Sequence, residues 1–148
     1  MKMNFNKISE KVIYLSNKIN QKNKKPNNYG TSHALYTSEI HMIEAISKHK
    51  SFNASELANI MGITNGAINQ VANKLIKKGL VEPYRINDNK KDVYYQLTDQ
   101  GKIANSAHKN YHKKQYNYME EYIEGLSTEE IKTINHFLDE LIDSWPPK

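Results

Sequence analysis

The chain has 148 residues, enough for one domain with its own core, and a formal net charge of +5 with no cysteine. The missing thiols exclude disulfides, thiolate zinc sites and thiol redox sensing. No apolar run reaches the ~18 residues of a membrane helix, and the Lys- and Asn-rich start lacks the apolar core of a secretory signal, so a cytoplasmic protein is expected.

The charge is uneven. Residues 1–36 carry seven Lys against one Glu, and residues 65–91 carry five Lys and one Arg against two acids. Residues 100–148 carry six Lys against eight acids. Basic segments attract polyanions, of which nucleic acid is the commonest in a cytosol.

The first segment sets Phe5, Ile8, Val12, Leu15 and Ile19 at spacings of three and four, a heptad-like stripe on one helix. Gln21 to Gly30 reads as a loop. Ser38 to Lys48 is the next helix, with Ile40, Ile43 and Ile46 inward. Asn53 stands three before Glu56, a capping-box spacing that opens a short helix with Leu57 and Ile60 as core residues. Gly62 supplies a tight turn that Ile63 plugs, and Thr64 caps the following helix. Ile68, Val71 and Leu75 form that helix's inner face, and Gly79 ends it.

The period then changes to alternation: Val93, Tyr95 and Leu97 face one way, Tyr94 and Gln96 the other. Leu80 to Ile86 is the partner strand, and Pro83 leaves it a free edge. Asn87 to Lys91 is a polar, basic hairpin tip. Thr98 caps a long helix to about Glu124. After Gly125, Ser127 and Glu130 form another capping box, and Ile131, Ile134, Leu138, Leu141 and Trp145 repeat the three-four spacing until Pro146 and Pro147.

The expected fold is mainly α with a small β-wing: a winged helix-turn-helix lobe at 37–98, flanked by helical dimerisation regions at 1–36 and 99–148, forming one domain. The second helix of the pair suits a major groove, and the hairpin brings cations to the neighbouring backbone. Its outward face offers Asn65, Gly66, Asn69, Gln70 and Asn73, with Lys74 near the phosphates. Thr64, Arg85, Asn89, Lys90 and Lys91 complete the candidate DNA contacts. Asn and Gln pair bidentately with adenine, so an A·T-rich inverted repeat is the expected operator. Gly66 lets the helix N-terminus approach a phosphate.

The segments SELANIMGITNGAINQVANKLIKKGLVE and YYQLTDQG resemble the reader and strand-to-helix segments of the MarR family. The resemblance covers nearly the whole chain. It implies a homodimeric, cytoplasmic transcriptional regulator of double-stranded DNA, usually a repressor, with the terminal helices as its interface. At the wing the family's Asp followed by two Arg is replaced by Asn89, Lys90 and Lys91, which keep charge but lose the planar fork.

Two readings of an effector follow. His108 and His112, four apart on the long helix, share a face and can bind one Zn²⁺. His41 on the second helix is the best third ligand. The zinc-responsive members of the family place His at these three positions. They also use a Glu near the end of the first helix, where this chain has Gln21, Lys22, Asn23 and Lys24. Gly30, Ile40 and Ala107 stand near the places of a second metal site, so the resemblance implies one site at most, completed by water or another ligand. The competing reading makes His108 and His112 solvated residues among Lys109, Lys113 and Lys114; His33, His49 and His136 read as surface. The second effector reading is a small aromatic or amphipathic molecule held by Tyr111, Tyr116, Tyr118 and Tyr122. No phosphate loop, nucleophile elbow or paired carboxylates are present, so an enzyme is not expected. A winged-helix dimer used only for protein contacts is the remaining alternative.

Overall fold

The computed structural model describes residues 2–86 and 89–144. Of the residues named above, the side chains of Phe5, Asn89, Lys90 and Lys114, and Asn87, Trp145, Pro146 and Pro147 entirely, lie outside the described set. The elements run α1 (Lys2–Asn23), α2 (Thr37–Lys48), α3 (Ala54–Met61), α4 (Asn65–Lys77), β1 (Val81–Ile86), β2 (Asn89–Leu97), α5 (Asp99–Glu124) and α6 (Thr128–Asp143). They form two compact units, Met1–Lys109 and Asn110–Lys148, and the division falls inside α5. The architecture is the expected α fold with a two-stranded antiparallel wing. Among the described residues no helix is long and apolar enough to cross a membrane.

The core of the first unit gathers apolar residues from α2, α3, α4 and the sheet. Ile40, Met42 and Ile43 of α2, Leu57 and Ala58 of α3, and Ile68, Ala72 and Leu75 of α4 are all buried. Fully burying one such aliphatic side chain is worth about 1.5–3 kcal/mol, so this face fixes the helix triad. Val93, Tyr95 and Leu97 of β2 pack on the same core, as alternation requires.

Local chemistry sets the helix ends. Asn53 accepts from the Glu56 N–H at 2.9 Å while the Glu56 carboxylate accepts from the Asn53 N–H at 2.7 Å. Gly62 ends α3 with φ 64, a left-handed conformation that glycine adopts without strain. Thr64 then caps α4, its Oγ1 accepting from the Ala67 N–H. Ser127 and Glu130 form the same reciprocal box at the start of α6.

The joint from β2 to α5 explains the sequence Leu97-Thr98-Asp99-Gln100-Gly101. Thr98 donates its hydroxyl to the Gly79 carbonyl at 2.7 Å, and its N–H to the Leu80 carbonyl. Gly101 faces that same Leu80 carbonyl so closely that a Cβ there would collide with backbone. The end of α4 and the start of α5 are thereby bound to one strand entry.

Three sequence expectations fail in detail. Ile60 is about half exposed, not core, because α3 has only eight residues and buries the narrow face of Leu57 and Ala58. Ile63 does not plug the turn; its side chain stays partly exposed. The basic hairpin tip is shorter than expected: Asn89 already pairs with Ile86, so Asn89, Lys90 and Lys91 belong to β2.

The stripes on the terminal helices are present but open. Ile8, Leu15 and Ile19 of α1 are exposed. In the second unit, α6 has no buried residue among those described, and Ile134, Phe137, Leu138 and Ile142 are exposed.

Candidate nucleic-acid interface and histidine cluster

The outer face of α4 is built by anchoring its inner face. Ile68, Val71, Ala72 and Leu75 fill the core, so Asn65, Gly66, Asn69, Gln70, Asn73 and Lys74 are turned outward and are all exposed. Thr64 is exposed beside them. Its hydroxyl oxygen accepts the cap hydrogen bond from the Ala67 N–H at 3.2 Å. A Cβ on Gly66 would meet only the Thr64 Oγ1, at 3.9 Å, so no protein contact requires glycine there.

An ion pair on a buried carboxylate, missed by the sequence reading, fixes the far end of α4. Lys78, its C-cap residue, donates to Glu39 Oε1 at 2.6 Å and to the Ala34 carbonyl at 2.8 Å. Glu39, almost fully buried on α2, also accepts from the Tyr36 N–H through Oε2. A desolvated carboxylate with a cation and a backbone N–H as donors is satisfied, and it ties α4 to the entry of α2.

On the sheet, Arg85 sits where the register shifts between Tyr84 and Ile86. Such an irregularity re-aims a side chain, and Arg85 is exposed. Lys91 is exposed on β2. Tyr84 braces the strand from below, its hydroxyl donating to the Lys50 carbonyl.

The second candidate site lies on another face of α2. The His41 and His108 ring centroids are 5.6 Å apart, and Tyr29 packs edge-on against His108 at 5.4 Å. His112 follows one turn along α5, stacked on Tyr116 at 4.8 Å. His41, His108 and His112 each offer a ligand atom, and these atoms lie within 4.8 Å of one another. The reading of His108 as a solvated helix residue is therefore corrected: it is 1% exposed. The α5 face that carries it packs inward, while Lys109 and Lys113 point to solvent. His41 is on the exposed rim, and His112 is half-buried.

Electrostatics at this cluster are mixed. Burial, with the Lys22 and Lys48 charges, lowers the His41 pKa against the opposing effect of Glu44, which favours the neutral imidazole that binds metals. Lys22 is thus a cation at the end of α1, where the zinc-responsive pattern has a carboxylate. Glu44, absent from the sequence reading, sits beside the cluster with Oε2 3.7 Å from His108 Nδ1 and Oε1 2.7 Å from Lys48 Nζ. Burial pushes its carboxyl up, but Lys48, His108 and His41 together hold it below the usual range. Its spacing of three from His41 was the available signal.

The tyrosines expected to hold an organic effector are exposed, Tyr118 most of all. Tyr122 lines a shallow cavity of about 330 Å³ with Leu126 and Ile134. A larger cavity, about 740 Å³, lies elsewhere, between the end of α2, the base of the sheet and the start of α5.

A short helix, a glycine turn, an outward-facing second helix and a basic two-stranded wing define a winged helix-turn-helix protein. The pattern of the MarR family matches residues 35–93 of this chain. The chain is 32% identical over 102 residues to the HTH-type transcriptional regulator PchR of Bacillus subtilis (strain 168), an alignment over 69% of this chain and 60% of that protein. The chain thus spans less than two thirds of that relative's length. Among solved structures, Streptococcus pneumoniae FabT in complex with DNA is similar with a TM-score of 0.68 and 25% identity, over 94% of this chain and 95% of that one. Lactococcus lactis ZitR, described as a zinc-responsive MarR family member, has the same fold, with a TM-score of 0.68 and 18% identity over 95% and 97% of the two chains.

Proposed function

We propose that this protein is a sequence-specific DNA-binding transcriptional regulator, acting in the cytoplasm as a homodimer and most simply as a repressor. The observation that carries this reading is the division of α4 into a fully anchored inner face and an exposed face of Asn65, Asn69, Gln70 and Asn73. An amide-bearing helix of this length enters a major groove, where Asn and Gln satisfy both hydrogen-bonding groups of adenine. Lys74, Arg85, Lys90 and Lys91 set the register on the phosphates, with Thr64 and Asn89 alongside. FabT, solved with DNA, and PchR, described as a transcriptional regulator, support the reading.

The test separates positioning from reading. Lys90→Ala with Lys91→Ala weakens binding to every duplex and lowers the log–log salt slope by about 0.9 for each phosphate no longer neutralised. Asn69→Ala costs about 1–3 kcal/mol at particular base pairs and relaxes preference there. Selection from random duplexes returns A·T-rich inverted repeats; G·C-rich sites overturn the adenine assignment. A dimer used only for protein contacts has no salt-dependent DNA affinity, and that result overturns the whole proposal.

A second reading concerns the effector. The grouping of His41, His108 and His112 favours Zn²⁺, and ZitR's description as zinc-responsive supports it. Imidazole donors at this spacing fit a zinc ion by their chemistry. A bound ion would cross-link side chains of α2 and α5. His41, His108 and His112 would hold it as neutral ligands, with Tyr29 packed edge-on against the His108 ring. His41→Ala, on the exposed rim, removes the zinc effect on DNA binding and leaves the fold intact. Zinc dependence that persists in this variant rejects the site.

A further inference from the structure

We infer that Glu44 of α2, which lies beside the grouped His41, His108 and His112, is the carboxylate ligand of a zinc ion there. The inference rests on the zinc reading above. His41 and Glu44 stand three apart on α2 and so share a face, with His108 of α5 opposite. All three belong to the first unit.

Glu44 Oε2 lies 3.7 Å from His108 Nδ1. That is too long for a hydrogen bond, so Glu44 does not act by accepting a proton from the ring. It is close to the ~3.3 Å that separates two donor atoms on one tetrahedral zinc with bonds of about 2.0–2.1 Å. The other oxygen, Oε1, accepts from Lys48 at 2.7 Å. One oxygen faces the imidazole and the other is steered by a cation, the arrangement of a monodentate carboxylate with an outer partner.

Charge argues the same way. Lys22 from α1 and Lys48 from α2 both act on His41 as cations, and Glu44 is the anion that opposes them there. A divalent ion held by the imidazoles meets these two ammonium groups, and Glu44 is the nearby anion that can approach it directly. With Glu44 as ligand, the carboxylate offsets one unit of the ion's charge and screens the lysines. A plain surface ion pair between Glu44 and Lys48, four apart on one helix, is the competing use of the same residue.

The experiment titrates the purified protein with Co²⁺, then displaces it with Zn²⁺ against a competing chelator, at neutral pH. Wild type, Glu44→Gln, Lys48→Met and His41→Ala are compared, with circular dichroism as a check of the fold. The expected results are one ion per chain with the intense visible bands of tetrahedral Co²⁺, and an altered spectrum with at least a tenfold loss of zinc affinity in Glu44→Gln. Lys48→Met should bind zinc as tightly as wild type or tighter. If Lys48→Met instead copies Glu44→Gln, Glu44 acts only through its ion pair and the inference fails. It also fails if Glu44→Gln keeps the wild-type spectrum and affinity while His41→Ala loses both; the histidine site then stands without Glu44. Absence of any Co²⁺ or Zn²⁺ binding by wild type overturns the zinc reading itself.

Discussion

The helix-turn-helix lobe and the terminal helix α6 obey the same three-four spacing and end in opposite states. In α4 the spaced residues Ile68, Val71, Ala72 and Leu75 are buried within the chain. In α6 the spaced residues Ile134, Phe137 and Leu138 are exposed, and no described residue on that helix is buried. Periodicity therefore states which face must be covered, but not what covers it. The lobe's partner is in its own sequence, one turn away. In the homodimer of the proposed function, a second copy covers this open stripe.

The sharpest way to break this contrast is to charge the open stripe. Phe137→Glu with Leu138→Glu removes four large apolar side chains from a symmetric interface. At about 1.5–3 kcal/mol each, the loss is about 6 kcal/mol or more, roughly 10⁴-fold in self-association. Analytical ultracentrifugation should show a monomer at micromolar concentration, and operator binding should disappear. A variant that remains dimeric at nanomolar concentration would show that α6 is not the interface.

The complementary experiment attacks the lobe where it is closed. Lys78→Met leaves Glu39 buried without its cation, which costs about 3–5 kcal/mol. Thermal or urea unfolding should register that loss, while the double variant with Glu39→Gln recovers much of it. Self-association should be unaffected, because neither residue belongs to an open stripe. Equal losses in the single and double variants would mean that the pair contributes packing rather than charge compensation.

How much of this was legible in the sequence follows from the range of each interaction. The caps at Asn53, Thr64 and Ser127 were readable because donor and acceptor lie within three residues. The alternation of Val93, Tyr95 and Leu97 was readable because one face of a strand must be apolar. Ile60 was misread because spacing does not reveal how narrow a contact an eight-residue helix makes. Asn89 to Lys91 read as a tip because polar residues at a sheet's edge resemble a loop. Glu39 with Lys78, and Glu44 with His108, span 39 and 64 positions respectively. Beside Lys48, Glu44 reads as half of an ordinary helical ion pair. Its second neighbour exists only once α5 has packed against α2.

The smallest predicted effect is also the one that best divides fold from function. Gly66 lies in the first turn of α4, so the penalty of about 0.5–1 kcal/mol that glycine carries relative to alanine in a helix interior is an upper bound for this position. A side chain there would meet nothing closer than Thr64 Oγ1 at 3.9 Å. The folded chain therefore gains nothing from the missing Cβ, unlike Gly101, whose Cβ would strike backbone. Gly66→Ala should raise stability by up to about that 0.5–1 kcal/mol. On DNA the sign reverses: a methyl at the helix N-terminus obstructs a phosphate approaching the backbone N–H groups, so affinity falls severalfold for all duplexes alike. A matched rise in thermal midpoint and fall in DNA affinity would place the cause of this glycine in the groove. A rise in stability with unchanged affinity would place the phosphate elsewhere and leave Gly66 without a role.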